Sequence, residues 1–158
     1  SRLSSNVRPH NSRLGTVMLR RRFALSAGLL FLLAREPALA QVDKRIPLSE
    51  LEAMFSDMRR KTKWNVDGPL LWGYFFVDPS RDRLNELAAR LQNDGYRLVE
   101  LRRVEESAIL HQLHVERVEM HSPASLFARN AELYKLAAEL GVHSYDGMDV
   151  GPVLPAGR

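Results

Sequence analysis

The sequence predicts an α+β fold in which one antiparallel sheet packs against amphipathic helices. Residues 70–77 (LLWGYFFV) carry no charge, and both alternating sets of positions are apolar, which is typical of a strand buried on both faces. Stretches with apolar residues at helical spacing lie on either side of this run. Two of them, residues 87–91 and 136–140, resemble each other, and each leads to a glycine. This weak repeat predicts two β–α units in tandem, with residues 70–77 as the central strand.

The first predicted element is a short helix over residues 50–60. Ser49 is its expected N-cap, because Glu52 follows three residues later in the pattern of a capping box. The apolar face of this helix is formed by Leu51, Met54, Phe55 and Met58. A turn at residues 67–69 (DGP) then leads into the central strand.

The second helix is predicted to follow the central strand directly. Asp78 is its expected N-cap and Pro79 its first helical residue. Gly95 stands where a helix commonly ends on a left-handed residue. The buried stripe of this helix consists of Leu84, Leu87, Ala88 and Leu91.

Two strands, a third helix and a short tail strand complete the predicted domain. The strands cover residues 97–104 and 109–120, and a change of apolar phase in the second predicts a bulge or a strand end near Glu116. Ser122 and the following proline begin the third helix, and Gly141 ends it. This order predicts a ferredoxin-like split βαβ sandwich. We expect the two β–α helices on one face of the sheet and the N-terminal helix on the other.

The distribution of charge argues against a nucleic-acid partner. The chain has 23 Lys and Arg residues against 19 Asp and Glu, but residues 1–40 hold seven arginines and one acid, Glu36. Residues 41–158 therefore carry 16 basic and 18 acidic residues, a net charge of −2, rather than the cationic surface that phosphate binding needs. The absence of cysteine excludes disulfides, thiolate zinc sites and cysteine nucleophiles.

Residues 18–40 have the three parts of a secretory signal peptide. Three arginines, residues 20–22, precede an apolar run over residues 23–34. Residues 38–40 (ALA) then place small side chains at the −3 and −1 positions of a cut before Gln41. The run is too short to remain as a membrane span. We therefore expect a periplasmic or secreted protein; the alternative is a cytoplasmic protein with an amphipathic or disordered N-terminus.

The remaining segments of the chain flank a single predicted domain. Residues 1–17 lack apolar periodicity, and we interpret them as upstream sequence carried in by a mis-set start codon. Residues 41–47 are a predicted linker, residues 48–153 the α+β domain and residues 154–158 a tail. A domain of this size can form one hydrophobic core.

Two histidines and the C-terminal segment are the candidates for chemistry. His111 and His114 are three residues apart on a predicted strand, so they project from opposite faces and cannot share a metal ion. His114 shares its face with Gln112 and Glu116, a row that we interpret as solvated sheet surface. We therefore expect no metal site.

Residues 143–152 (HSYDGMDVGP) cluster a histidine, a tyrosine and two carboxylates, which could act as a general acid–base set. The alternative is structural: Asp146 and Gly147 form a tight turn, and Tyr145 packs under the last helix. The sequence contains no nucleophile elbow, P-loop, zinc signature or paired-glycine dinucleotide turn. We predict no catalytic residue and no cofactor.

Several features of the chain occur in an order that resembles the regulator of ribonuclease E activity B family. They are the central aromatic strand, the helix ending in Leu91-x-x-x-Gly95-Tyr96, the Leu113-His114-Val115 strand and the terminal Tyr145-Asp146-Gly147. The resemblance covers residues 48–153, and Met148 stands where the family typically has a tryptophan. It implies an α+β sandwich without catalytic activity. The founding members bind the non-catalytic part of ribonuclease E and restrain RNA cleavage.

We therefore predict a non-catalytic, protein-binding regulatory domain, which as an exported protein would bind a partner other than cytosolic ribonuclease E. The alternative is a small periplasmic ligand-binding protein or enzyme that uses residues 145–149 together with the loop at residues 64–67. The candidate binding residues are Trp64, Asp67, Tyr145, Asp146 and Gly147. A pocket in which Asp67 and Asp146 converge would favour the alternative, and a flat acidic or aromatic surface the regulatory domain.

Overall fold

The computed structural model describes residues 45–153 and, as backbone only, residues 17–20. Its elements are, in chain order, β1 (Val17–Arg20), α1 (Leu48–Lys61), β2 (Leu70–Asp78), α2 (Arg81–Asn93), β3 (Arg97–Arg103), β4 (His111–Glu119), α3 (Pro123–Glu139) and β5 (Ser144–Gly151). The predicted α+β sandwich is confirmed. Each predicted helix and strand of the domain is present, with ends that differ by a few residues.

The sheet is antiparallel throughout, with the strand order β1-β5-β2-β4-β3. Strand β2 lies between β5 and β4, and eight of its nine residues are buried, so the prediction of a central strand covered on both faces is confirmed. Strand β4 separates β2 from β3, which gives the split βαβ arrangement. Strand β1 pairs with the outer edge of β5.

All three helices pack on the same face of the sheet. Trp72, Tyr74 and Phe76 of β2 point to this face and belong to one apolar cluster with side chains of α1, α2 and α3. The ring of Phe55 on α1 stacks on Trp72 with 5.9 Å between centroids. The expectation that the N-terminal helix covers the other face is therefore wrong. The opposite face carries carboxylates beside β2, and the apolar stripe of α1 could not satisfy their hydrogen bonds.

The helix ends agree with the sequence at α3 and differ at α1 and α2. Ser122 caps α3, and its hydroxyl accepts a hydrogen bond from the Ser125 N–H at 3.1 Å. The predicted Ser49 cap of α1 is wrong: the helix begins at Leu48, two residues earlier than predicted, and no side chain caps it. Ser80, rather than Asp78, is the N-cap of α2, and Asp78 is the last residue of β2.

The irregular positions of the sheet lie in the strands beside β4 and β2. Strand β4 pairs with β2 in unbroken register as far as Glu119, so neither a bulge nor a strand end interrupts β4 near Glu116. The register shifts in the neighbouring β3 next to the residue paired with Glu116, and in β5 opposite Phe75 and Phe76. Asp146 and Gly147 lie at this bulge, inside a strand, so the predicted tight turn is wrong. Gly147 nevertheless has the left-handed backbone of a bulge glycine, with φ 99°.

The predicted upstream segment, signal peptide and tail fall on residues 1–44 and 154–158, of which residues 17–20 alone are described. The interpretation of these segments stays a prediction. None of the three helices in the described part of the chain is long and apolar enough to cross a membrane.

Candidate functional site

The face of the sheet opposite the helices carries a row of buried polar side chains, which we call the polar face. Cross-strand register places Glu116 of β4 and Asp149 of β5 on either side of Gly73 in β2. The next row along the sheet contains His114, Phe75 and Gly147. The face therefore presents two carboxylates and an imidazole around the middle of the central strand.

These groups meet above Gly73, which has no side chain of its own. A Cβ atom placed on Gly73 would lie 2.7 Å from Nε2 of His114 and even closer to Oδ1 of Asp149. No other residue could therefore occupy this position without displacing both side chains. Because Gly73 has no Cβ, the side chains of Asp149 and His114 can both occupy the space above its backbone.

The polar face is buried, and its groups pair with one another. His114 is 6% exposed and Glu116 1% exposed, so the interpretation of this row as solvated surface is wrong. Nε2 of His114 lies 3.5 Å from Oε1 of Glu116, and its ring stacks on Phe75 at 4.3 Å. Arg97 on β3 also binds Glu116.

The predicted site residues at the C-terminus are buried in or beside strand β5. The Tyr145 hydroxyl donates a hydrogen bond of 2.8 Å to Oδ1 of Asn130 on α3, and its ring lies edge-on to Tyr134. The prediction that Tyr145 packs under the last helix is confirmed. Burial raises the pKa of Tyr145 well above its usual range, so this hydroxyl is a neutral donor at physiological pH. Asp146 is 6% exposed.

Trp64 and Asp67 lie at the opposite end of the central strand. Asp67 is exposed and accepts a hydrogen bond from Nη2 of Arg59 at 2.7 Å, while Trp64 is half-buried against the main core. Asp67 precedes Leu70, whereas Asp146 lies beside Phe75 and Phe76. Five strand residues span about 17 Å. The structure thus brings Tyr145, Asp146 and Gly147 together and leaves Trp64 and Asp67 apart from them.

A second ionic cluster, centred on Glu119, was not predicted from the sequence. The Glu119 carboxylate accepts hydrogen bonds from the Tyr74 hydroxyl at 2.7 Å and from Nη2 of Arg129 at 2.8 Å. Nε2 of His121 lies 3.3 Å away, and Nε of Arg117 lies 3.7 Å away. The signal that could have indicated it is the strand alternation, which places Glu119 in the inward-facing set with Leu113 and Val115.

Hydrogen bonds and neighbouring cations determine the charge state of Glu119. Burial alone would raise its pKa. The hydrogen bonds to His121 and Tyr74 and the positive charge of Arg129 outweigh burial and lower the pKa to about 2. Glu119 is therefore ionised at any physiological pH, and its arrangement is that of an anchor between β4, β2 and α3 rather than of a proton-transfer group.

Asp78 is a further buried carboxylate and links three segments at the other end of β2. It accepts hydrogen bonds from the N–H groups of Ser80 at 2.6 Å and His143 at 2.7 Å, and from Arg83 at 3.1 Å. Burial opposes ionisation, but these hydrogen bonds outweigh it and lower the pKa of Asp78. Asp78 ends β2 two residues before the cap of α2, and its carboxylate joins this point to the segment after α3.

His111 and His114 lie on opposite faces, as the sequence predicts. Nδ1 of His111 lies 3.2 Å from the carbonyl oxygen of Pro79, whereas His114 belongs to the polar face. Within residues 17–20 and 45–153, no group of three or more His, Asp or Glu side chains could hold a metal ion. A shallow hollow of about 510 Å³ is lined by residues 103–108 and contains none of the predicted site residues.

The fold and these clusters define a small α+β domain in which Asp78, Glu116 and Glu119 bind cationic side chains of the chain itself. The family model described as "Regulator of ribonuclease activity B" (RraB) matches residues 49–150. The chain belongs to this family, as the resemblance of its motifs indicates. The family is one of regulators rather than enzymes, which supports a regulatory, protein-binding role. No curated protein and no solved structure matches the chain.

Proposed function

We propose that the chain is a non-catalytic regulatory domain that is exported and binds a protein partner outside the cytoplasm. Membership of the RraB family carries the regulatory part of the proposal. Export is supported by residues 18–40, with their arginines, apolar run and Ala38-Leu39-Ala40 sequence. An exported domain cannot meet a cytosolic ribonuclease, so the partner would differ from ribonuclease E. If the protein instead stays in the cytoplasm, ribonuclease E becomes the expected partner.

The arrangement of the polar groups supports binding over catalysis. The Tyr145 hydroxyl hydrogen-bonds Asn130 in the core, so it does not face a cleft. Glu119 and Asp78 are ionised and held by several donors each. Asp67 stands at the far end of β2 from Asp146. These observations favour the regulatory domain over the alternative of a ligand-binding protein or enzyme that uses residues 145–149.

The compartment is tested by expressing the chain from Met18 with a C-terminal tag and fractionating the cells. We expect the tagged protein in the periplasmic fraction with Gln41 as its first residue. Ala40→Arg is the matched control, because it alters the −1 position and should leave an uncut precursor. Recovery of the intact N-terminus from the cytosol would contradict export.

The binding role is tested with the purified protein in two assays. Immobilised protein should retain a partner from a periplasmic extract in a stoichiometric ratio, and it should not retain the non-catalytic part of ribonuclease E. The second assay compares the unsubstituted protein with Asp146→Asn. A small molecule that binds or turns over, and that is lost in Asp146→Asn without a change in circular dichroism, would favour the alternative function instead.

A further inference from the structure

The outer edge of β5 is occupied by a strand from the opposite end of the chain. Four consecutive pairs define the antiparallel register, from Val17 opposite Val150 to Arg20 opposite Gly147. Without β1, β5 would be the outermost strand and would present unpaired N–H and C=O groups. Such an edge accepts an extended segment from any chain of suitable sequence.

The edge also favours a cationic occupant. Strand β5 contains two acidic residues, Asp146 and Asp149, and no basic residue, and both acids are more than nine-tenths buried. The register places Arg20 opposite Gly147, next in sequence to Asp146. Two further arginines follow Arg20 in the sequence. The sequence of the segment that occupies this edge is thus cationic at its C-terminal end, and its backbone pairs with the strand that holds the two acids.

We propose that the outer edge of β5 is the docking site for an extended, cationic segment of a protein partner, and that β1 occupies this site in the unprocessed chain. The proposal rests on the proposed protein-binding function. Main-chain hydrogen bonds to β5 would supply affinity, and arginine or lysine beside Asp146 would supply specificity. Because one edge accepts one strand, β1 and the partner segment compete. Cleavage before Gln41 would remove β1 and leave the edge available.

The test uses the full chain and a synthetic peptide with the sequence of residues 16–22 (TVMLRRR), blocked at both ends and labelled with a fluorophore. Leu19→Pro in the full chain weakens the pairing of β1, because proline lacks the N–H of the ladder. We expect the peptide to bind Leu19→Pro at least about tenfold more tightly than the unsubstituted chain, in which β1 competes at the high effective concentration of a tethered segment. Fluorescence anisotropy measures both affinities.

Two altered peptides and one further variant test the chemistry of recognition. A peptide with all three arginines replaced by glutamate should not bind, and neither should a peptide with proline at the position of Leu19. Asp146→Asn combined with Leu19→Pro should weaken binding of the original peptide, and so should added salt. Thermal melting establishes that each variant is folded before its affinity is compared.

Three results of the peptide assay would overturn the proposal: no binding of the original peptide to Leu19→Pro, equal binding to both chains, and undiminished binding of the glutamate peptide. Formation of a Leu19→Pro dimer, detected by light scattering, would show that a second copy occupies the edge and would overturn it as well. If the peptide does not bind but the protein still retains a periplasmic partner, the docking site is wrong and the regulatory function stands. If no partner is retained, the proposed function fails whatever the peptide does.

Discussion

Neutralising Glu119 should remove a pH-dependent part of the stability of the fold. This carboxylate is contacted from three directions: by Tyr74 on β2, by Arg117 and His121 on and just after β4, and by Arg129 on α3. Glu119→Gln keeps the size of the side chain but removes the negative charge that these groups share. We therefore expect a less stable protein at neutral pH, with the largest loss where Glu119 would be ionised.

The size and sign of the effect follow from the pKa. The contacts lower the pKa of Glu119 from 4.5 to about 2 in the folded state. One pKa unit corresponds to about 1.4 kcal/mol, so the shift sets a ceiling of about 3 kcal/mol. Solvent around the partly exposed Arg117 reduces it, and we expect roughly 1–3 kcal/mol. Because the folded pKa is the lower one, this stability is present above pH 4.5 and is lost as the pH falls towards 2.

Urea denaturation followed by tryptophan fluorescence, repeated between pH 2.5 and pH 7, measures the effect. The free energies of unfolding of the unsubstituted protein and Glu119→Gln should differ by roughly 1–3 kcal/mol at pH 7, and the difference should narrow steadily between pH 4.5 and pH 2.5. Glu132→Gln is the matched control, because Glu132 also binds Arg129 but its side chain is 65% exposed; its effect should stay below about 0.5 kcal/mol. A constant difference between Glu119→Gln and the unsubstituted protein over the whole range would refute the reasoning.

Three further substitutions test the core, the bulge and the polar face by thermal or urea unfolding. Trp72→Ala should cost about 3–5 kcal/mol, because the ring is 1% exposed and stacks on Phe55; a melting temperature within a degree or two of the unsubstituted protein would contradict this. Gly147→Val should cost about 1–3 kcal/mol for its positive φ, and Gly95→Ala, where no atom lies within 4 Å of the new Cβ, gives the cost of positive φ alone. Equal stability of Gly147→Val and the unsubstituted protein would exclude a strained bulge. Gly73→Ala should cost about 1–3 kcal/mol, because its Cβ displaces Asp149 and His114; no loss would show that these side chains move aside freely.

The features that the sequence predicts well depend on short-range patterns. The two apolar sets of residues 70–77 predict a central strand, which β2 is. The Ser122 cap and the left-handed Gly95 and Gly141 follow from local backbone requirements, and the structure has them where the sequence places them. In each case the residue and the group that it serves lie within a few positions of one another.

The features that the sequence did not predict depend on contacts between distant segments. Nothing near Glu116 in the sequence indicates that Gly73 and Asp149 are its neighbours across the sheet. For the same reason, the sequence around Asp78 predicts a helix N-cap, whereas the Asp78 carboxylate accepts a hydrogen bond from the N–H of His143. The sheet face on which α1 packs also depends on a tertiary contact, because the large ring of Trp72 lies on one side of β2 and stacks on Phe55 there. Short-range sequence patterns specified the helices and strands. Contacts between distant segments determined the partners of their polar side chains.

Residues 17–20 have two interpretations, one from the sequence and one from the structure, and cleavage before Gln41 would affect both. As sequence they belong to, or directly precede, the charged part of a predicted signal peptide; as structure they form β1 on the edge of β5. Cleavage before Gln41 would separate this strand from the domain, whereas an uncut chain would keep the edge covered. An exposed edge strand is a site for association with other chains, so coverage before export and release afterwards would confine binding to the compartment of the partner. Processing and partner binding would then be coupled through a single strand.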